Sequence, residues 1–203
     1  MTPGGDLLVT TGNANPDPPQ GGPDPKRYTE SVVRLSPALR PVASFKDRVA
    51  GGDEDLSTGN PVLLGDLVLS VGKTDVAYLL RASDLHRVAA VEGVCGSDPD
   101  GGPAYDAVTG RAWVPCRGGG LQQVDVSGRR LGPKVSGANA APIVVGGTVW
   151  AADYDAGTLT AFDAVTGAVR QTLETGPLPH FASPSTADGV LLIGTTTGLR
   201  AFR

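Results

Sequence analysis

Apolar residues in this chain come in short runs of three to five, separated by glycine, proline or aspartate. Val62-Leu63-Leu64, Leu67-Val68-Leu69, Pro142-Ile143-Val144-Val145 and Val190-Leu191-Leu192-Ile193 are the clearest. None shows the i, i+3, i+4 recurrence of an amphipathic helix, and runs this short between turn residues predict strands. Two runs commonly flank a Gly- or Asp-containing pair, as at Gly65-Asp66, Gly146-Gly147 and Asp188-Gly189, which predicts antiparallel hairpins. Gly118-Gly119-Gly120 sits between two such runs with no helix behind it. It reads as another hairpin turn and not as a phosphate-binding loop.

The hairpins recur. Pro61, Pro103, Pro142 and Pro184 each open one, at spacings of 42, 39 and 42 residues. A third strand follows in each unit, at Val76–Leu80, Leu121–Val124, Leu159–Phe162 and Leu199–Phe202. An earlier unit fits across a long loop, from Asp6–Thr10 to Ser31–Leu35. A period near 40 with about four short strands per unit is the pattern of β-propeller blades. The expectation is therefore an all-β chain, with residues 1–203 forming one domain of four to five four-stranded antiparallel blades.

Ala161-Phe162-Asp163-Ala164-Val165-Thr166-Gly167 resembles the start of the tryptophan-docking motif of pyrroloquinoline-quinone (PQQ) dehydrogenase repeats, Ala-x-Asp-x-x-Thr-Gly-x-x-x-Trp. An Asp and a Thr can close such a turn on backbone N–H groups, and Gly167 tolerates positive φ. The family's closing Trp stacks between blades, whereas here that position is Gln171. Val124–Gly128 is a weaker copy, and Leu35–Pro37 and Ala82–Asp84 are degenerate ones. Ala104-Tyr105-Asp106-Ala107-Val108-Thr109-Gly110 repeats the motif one hairpin too early, and reads as a coincidental turn. Propellers of this type have seven or eight blades, so the resemblance implies a partial ring. Other blades of a longer chain, or a second copy, would then complete it.

A second stretch resembles the cofactor region of PQQ alcohol dehydrogenases, Gly-Thr-Gly-Asn, a loop, then Tyr-Thr-x-Ser-Val-Val. Here it is Thr10-Thr11-Gly12-Asn13 followed by Tyr28-Thr29-Glu30-Ser31-Val32-Val33. The resemblance implies Asn13 as a Ca²⁺ ligand beside the quinone. It implies Asp53 or Asp55, ahead of Pro61-Val62-Leu63, as the general base, with no choice between them. It implies Lys73, before Tyr78-Leu79-Leu80, as the quinone contact, although the usual Asn-Gly after it is Thr74-Asp75. In such an enzyme the carboxylate takes the alcohol proton, and Ca²⁺ polarises the quinone carbonyl. By residue type alone, Asn13 closes a turn, Asp53-Glu54-Asp55 is a solvated acidic loop and Lys73 is a loop ion-pair partner. His86 and His180 have no second ligand at metal spacing. His180-Phe181, ahead of a blade, either packs in its loop or faces the central channel.

Composition narrows the classes further. A net charge of −4 with 19% charged residues leaves no basic footprint for nucleic acid. No apolar run reaches the roughly 20 residues of a membrane-spanning helix. The only cysteines, Cys95 and Cys116, flank one hairpin unit and suit a single disulfide, the alternative being two buried thiols. A disulfide implies a secreted or otherwise extracytoplasmic protein. Met1–Asp6 has neither the charged start nor the apolar core of a leader, and the expectation is a piece of a longer exported protein. Two functions follow. One is a non-catalytic, PQQ-like binding or scaffold module with a protein partner and no cofactor. The other is part of a PQQ- and Ca²⁺-dependent alcohol or sugar dehydrogenase.

Overall fold

The computed structural model describes residues 1–12, 28–47 and 55–203. Its regular structure is five antiparallel sheets and one 3-10 turn, Leu56–Thr58. No helix among the described residues is long and apolar enough to cross a membrane. The chain divides into two compact units, Met1–Pro99 and Asp100–Arg203.

The first unit holds two sheets. One is β1 (Leu7–Thr10), β2 (Ser31–Leu35) and β3 (Pro41–Lys46), in that order. The other runs β4 (Val62–Leu64), β5 (Leu67–Val71), β6 (Val76–Arg81) and β7 (Arg87–Glu92). Val32 from the first sheet meets Val68, Val76, Tyr78 and Leu80 from the second, with Leu56 of the 3-10 turn closing the cluster. Each such fully buried aliphatic side chain contributes about 1.5–3 kcal/mol.

The second unit holds three sheets. The third sheet is β8 (Ala104–Asp106), β9 (Arg111–Pro115), β10 (Leu121–Asp125) and β11 (Arg130–Val135). The fourth is β12 (Ile143–Val145), β13 (Thr148–Asp153), β14 (Thr158–Asp163) and β15 (Val169–Glu174). The fifth is β16 (Ser185–Ala187), β17 (Val190–Thr195) and β18 (Gly198–Phe202). Trp113 and Leu121 of the third sheet pack on Val149, Ala151 and Phe162 of the fourth. Ala152 and Leu159 of the fourth pack on Leu191 and Ile193 of the fifth. Successive sheets thus share one apolar layer, and β13 and β14 are apolar on both faces for that reason.

The turns after the third strands are closed by aspartate. Asp163 accepts from the backbone N–H groups of Val165 and Thr166 at 2.9 and 2.8 Å, and from the Thr166 hydroxyl at 3.0 Å. These N–H donors and Arg170 hold its carboxyl far below the ordinary range. Asp125 is held at about 2 by the Gly128 N–H and the Ser127 hydroxyl.

Trp113, not residue 171, makes the docking contact between the third and fourth sheets. Its indole N–H donates to the Ala164 carbonyl at 3.3 Å, and Gln123, its neighbour across β9–β10, donates to Ala164 and Val165 carbonyls at 3.3 and 3.0 Å. A Cβ on Gly167 would lie 2.6 Å from Val135 Cγ1 and 3.3 Å from the Trp113 ring, so the indole seats directly on the glycine. The first unit repeats the arrangement with Arg34 of β2, whose guanidinium donates to the Ala82 and Ser83 carbonyls of the β6–β7 turn.

The Asp106–Gly110 stretch is a turn between β8 and β9, as expected from its place in the repeat. Its closure nonetheless matches that of Asp163–Gly167: Val108 N–H and the Thr109 hydroxyl donate to Asp106 at 3.0 and 2.8 Å. Both terminal glycines lie at positive φ, 69° and 74°, but nothing crowds Gly110. Gly110→Ala should therefore cost only the left-handed penalty, about 1–2 kcal/mol. Gly167→Ala should cost about 1–3 kcal/mol more, from the clash with Val135 and Trp113. Urea denaturation of the two variants checks this; equal losses would mean that Trp113 does not seat on Gly167.

Candidate functional site

In each four-stranded antiparallel sheet, the connection into the first strand, the one from the second to the third and the one leaving the fourth lie at the same end. Asp55 precedes β4 and Lys73 lies between β5 and β6, so both fall on connections at this end of the second sheet. Asn13 and Asp53 lie outside the described residues. Asp55 and Lys73 do not, and they meet.

In the first unit, Thr11 and Gly12 leave β1 and are tied to the start of β2. Thr11 N–H donates to Ser31 O at 2.9 Å, and Glu30 N–H donates to Gly12 O at 3.0 Å. Gly12 lies against the Asp55 loop: a Cβ there would sit 2.8 Å from Ser57 Oγ and 3.4 Å from Asp55. Asp55 caps the 3-10 turn, accepting from Ser57 N–H at 3.1 Å and Ser57 Oγ at 2.5 Å. Its other oxygen lies 3.0 Å from Lys73 Nζ, and the two side chains are only 14% and 9% exposed. Lys73 N–H also donates to Asp55 O at 3.0 Å, an approach that requires glycine at 72, where a Cβ would lie 2.6 Å from Leu56 Cα. Burial pushes the Asp55 carboxyl up, but the Ser57 hydrogen bonds and the Lys73 charge outweigh it and hold the group below its ordinary value.

Asp55 is thus not part of a solvated acidic loop; desolvation by the close backbone of Gly72-Lys73 accounts for the difference. Beside it, buried Glu30 accepts from Leu56 N–H at 3.0 Å, and buried Asp47 accepts from the hydroxyls of Thr74 (2.9 Å) and Tyr78. The carboxylates at this end bind loops together.

The second unit carries a cluster that the sequence did not reveal. The Asp100 side chain is 0% exposed. It receives the Tyr154 hydroxyl at 2.5 Å and lies 3.1 Å from His180 Nε2, both on Oδ2, while Arg117 donates to Oδ1 at 3.2 Å. Burial pushes the Asp100 carboxyl up, and the Tyr154, His180 and Arg117 contacts more than reverse this. Burial and the bond to Asp100 push the Tyr154 phenol well above its usual range. Tyr154 lies edge-on to His180 at 4.7 Å, and Phe181 stacks on His180 at 3.9 Å. Phe181 is 56% exposed at φ +64°, a conformation that bulky side chains rarely adopt. Residues 100, 117, 154 and 180 share no local motif. Only their phase in the repeat, each on a connection at the same end, could have grouped them.

No family model matches the chain, and no curated protein matches it. Among solved structures it is similar to BamB from Moraxella catarrhalis, with a TM-score of 0.68 and 11% identity over 85% of this chain and 52% of that one. The computationally designed Ika8 protein is similar too, with a TM-score of 0.64 and 11% identity over 84% and 52%. The fold is a β-propeller. The chain spans about half the length of these structures, and at this identity the likeness concerns fold alone. Each sheet is a blade, and the five blades include three with all four strands.

Cys95 and Cys116 are disulfide-bonded, as their placement suggested, and neither is a free thiol. Among the described residues no group of three or more His, Cys, Asp or Glu side chains is placed to hold a metal ion.

Removing the Lys73 amine strands a buried carboxylate. Lys73→Met is expected to lose about 1–3 kcal/mol at pH 7. A carboxyl depressed in the folded state stabilises above its unfolded pKa and loses that contribution as pH falls through the folded value. Asp55→Asn should therefore flatten the loss of stability below about pH 4 relative to the native chain. Chemical denaturation between neutral pH and about pH 3 reads both; an unchanged acid limb would mean that Asp55 is not paired.

Proposed function

We propose that this chain is a PQQ-like propeller repeat acting outside the cytoplasm as a non-catalytic binding and scaffold module, with a protein as its partner. The observation that carries this is the aromatic platform on Asp100. A fully buried carboxylate holds Tyr154, His180 and Arg117 from three separate connections, and an exposed, left-handed Phe181 is stacked on His180. An exposed aromatic stacked on His180, with an arginine held by the same Asp100 carboxylate, supplies the aromatic and arginine composition favoured at protein interfaces. Backbone strain of this kind is retained where a site needs it.

The dehydrogenase reading needs a base free to take a proton and a cation free to face the quinone. Asp55 and Lys73 are closed on each other, and Ser57 fills the second carboxylate oxygen. Asp55 and Lys73 so arranged do not fit a quinone cradle, Asp53 and Asn13 lie outside the described residues, and no step is assigned to PQQ or Ca²⁺. The disulfide supports an oxidising compartment.

Two measurements test this. Titration with PQQ, with and without Ca²⁺, should show binding no tighter than roughly millimolar by tryptophan fluorescence. Tight, calcium-dependent quenching would overturn the scaffold reading. A photo-crosslinking residue placed at 181 in the exported protein should give discrete protein adducts, and one at exposed Val169 should not. Equal labelling at both positions would mean that the platform is not the contact surface.

A further inference from the structure

The seam between the first and second blades and the seam between the third and fourth use the same register, but different side chains fill them. In the second unit the seam is tight: Val135, opposite Leu121 across β10–β11, meets Gly167, whose Cβ would lie 2.6 Å away. In the first unit Phe45, opposite Val32 across β2–β3, stands at the place of Val135. The pair that follows the bulge is Leu80–Arg87 in the second sheet and Phe162–Val169 in the fourth. Leu85, His86 and Arg87 therefore stand at the places of Gly167, Ala168 and Val169. Leu85 holds φ +58°, a backbone conformation rare for leucine, and is buried in the Val32 cluster on which Phe45 packs. Here the seam holds a groove of about 530 Å³, between Ser44–Lys46 of β3 and residues 84–87 around the β6–β7 turn.

The same comparison shows what the groove carries. Lys46, His86 and Arg87 replace Ser136, Ala168 and Val169, so three uncharged places become an ammonium, an imidazole and a guanidinium. The one acid in the lining, Asp84, is already held. Arg81 pairs with its Oδ2 at 2.8 Å, and the His86 N–H donates to its Oδ1 at 3.0 Å. Lys46 donates to Thr29 Oγ1 at 3.1 Å, and burial pushes its ammonium below the ordinary lysine value. A partly desolvated cation gains more from an incoming anion than a solvated one does. His86 and Arg87 are exposed, whereas Leu85 is buried and Phe45 half-buried, which gives the groove a polar rim and an apolar floor.

We propose that this groove is a docking site for an acidic, partly apolar segment of a protein partner. Its carboxylates would face Lys46 and Arg87, and an apolar side chain would cover Phe45 and Leu85. Charge complementarity selects the acid. The apolar floor selects a peptide over a free anion such as phosphate, which would leave Phe45 and Leu85 uncovered. A groove of this size takes only a few side chains, so the contact is small and weak. The site lies wholly within the first unit and uses none of the residues around Asp100. It therefore stands whether or not those residues bind a partner.

Fluorescence anisotropy of the full chain with a labelled hexapeptide of alternating aspartate and leucine tests this. The native chain should bind it, and binding should weaken as salt rises from about 20 mM to about 500 mM. The same peptide with asparagine for aspartate should bind about tenfold more weakly. Arg87→Glu should lose about tenfold for the aspartate peptide. Arg129→Glu, the same charge change at an exposed turn of the third blade, should bind like the native chain. Near-UV circular dichroism matching the native chain shows that each variant is folded. Inorganic phosphate at the peptide's concentration should not displace it. A native chain that does not bind the aspartate peptide overturns the proposal. So does equal binding of the aspartate and asparagine peptides, or equal loss in the two variants. Displacement by phosphate would make this an anion site only, and overturns the peptide assignment.

Discussion

A thin sheet with two apolar faces is stable only between two neighbours, and here the neighbours are held by a turn. Within each unit one turn after a third strand, β6–β7 in the first and β14–β15 in the second, points its carbonyls at the preceding blade, and that blade answers with side-chain donors. Trp113 and Gln123 do this for the third and fourth blades, Arg34 for the first and second. A buried carbonyl without such a donor would cost about 1–3 kcal/mol. The aspartate at the start of the turn makes the contact reproducible, since it takes up the turn's own N–H groups and leaves the carbonyls free to dock. The contact sets neighbouring blades within a unit in register with the apolar layer between them.

Much of the fold was legible because the repeat shows in the chain itself. The hairpins after Pro61, Pro142 and Pro184 and the third strands at 76–80, 121–124, 159–162 and 199–202 lie where their apolar runs placed them. The fourth strands were harder. Val169–Glu174 is largely exposed and polar, and neither alternation nor composition marks it off from a loop. Its strand character comes from pairing with β14, which a local pattern does not record. The docking tryptophan was not legible for a related reason. The motif looks for it eight residues after Asp163, but an equivalent indole arrives from β9, 51 residues before its acceptor Ala164. Contact geometry conserves the position of a ring and a carbonyl; it does not require the same strand to deliver them.

The candidate site was legible in part. Lys73 is an ion-pair partner, as its residue type suggested, and the stretch that resembles a quinone site does bring Gly12, Asp55 and Lys73 together. What the residues could not show is that Asp55 and Lys73 would neutralise each other. That depends on Gly72 letting two backbones approach closely, a distance and not a pattern.

Asp55 and Asp100 stand on equivalent connections, each leading from one blade into the next, and both are desolvated carboxylates held below their ordinary range. Their partners make the difference. Asp55 is closed by a short hydroxyl and a nearly buried ammonium, so the charge and its donors vanish together beneath the loops. Asp100 is closed by long, flat side chains that are only half covered. Its charge is buried, while the Arg117 guanidinium, the His180 ring and the Phe181 face stacked on it remain at the surface. The first arrangement yields a staple between loops. The second also yields a surface, rigid because its anchor cannot be solvated and accessible because its partners are larger than the pocket that holds them. One element, a buried aspartate on a blade connection, thus gives a closed staple where its partners are small and a rigid, exposed surface where they are large.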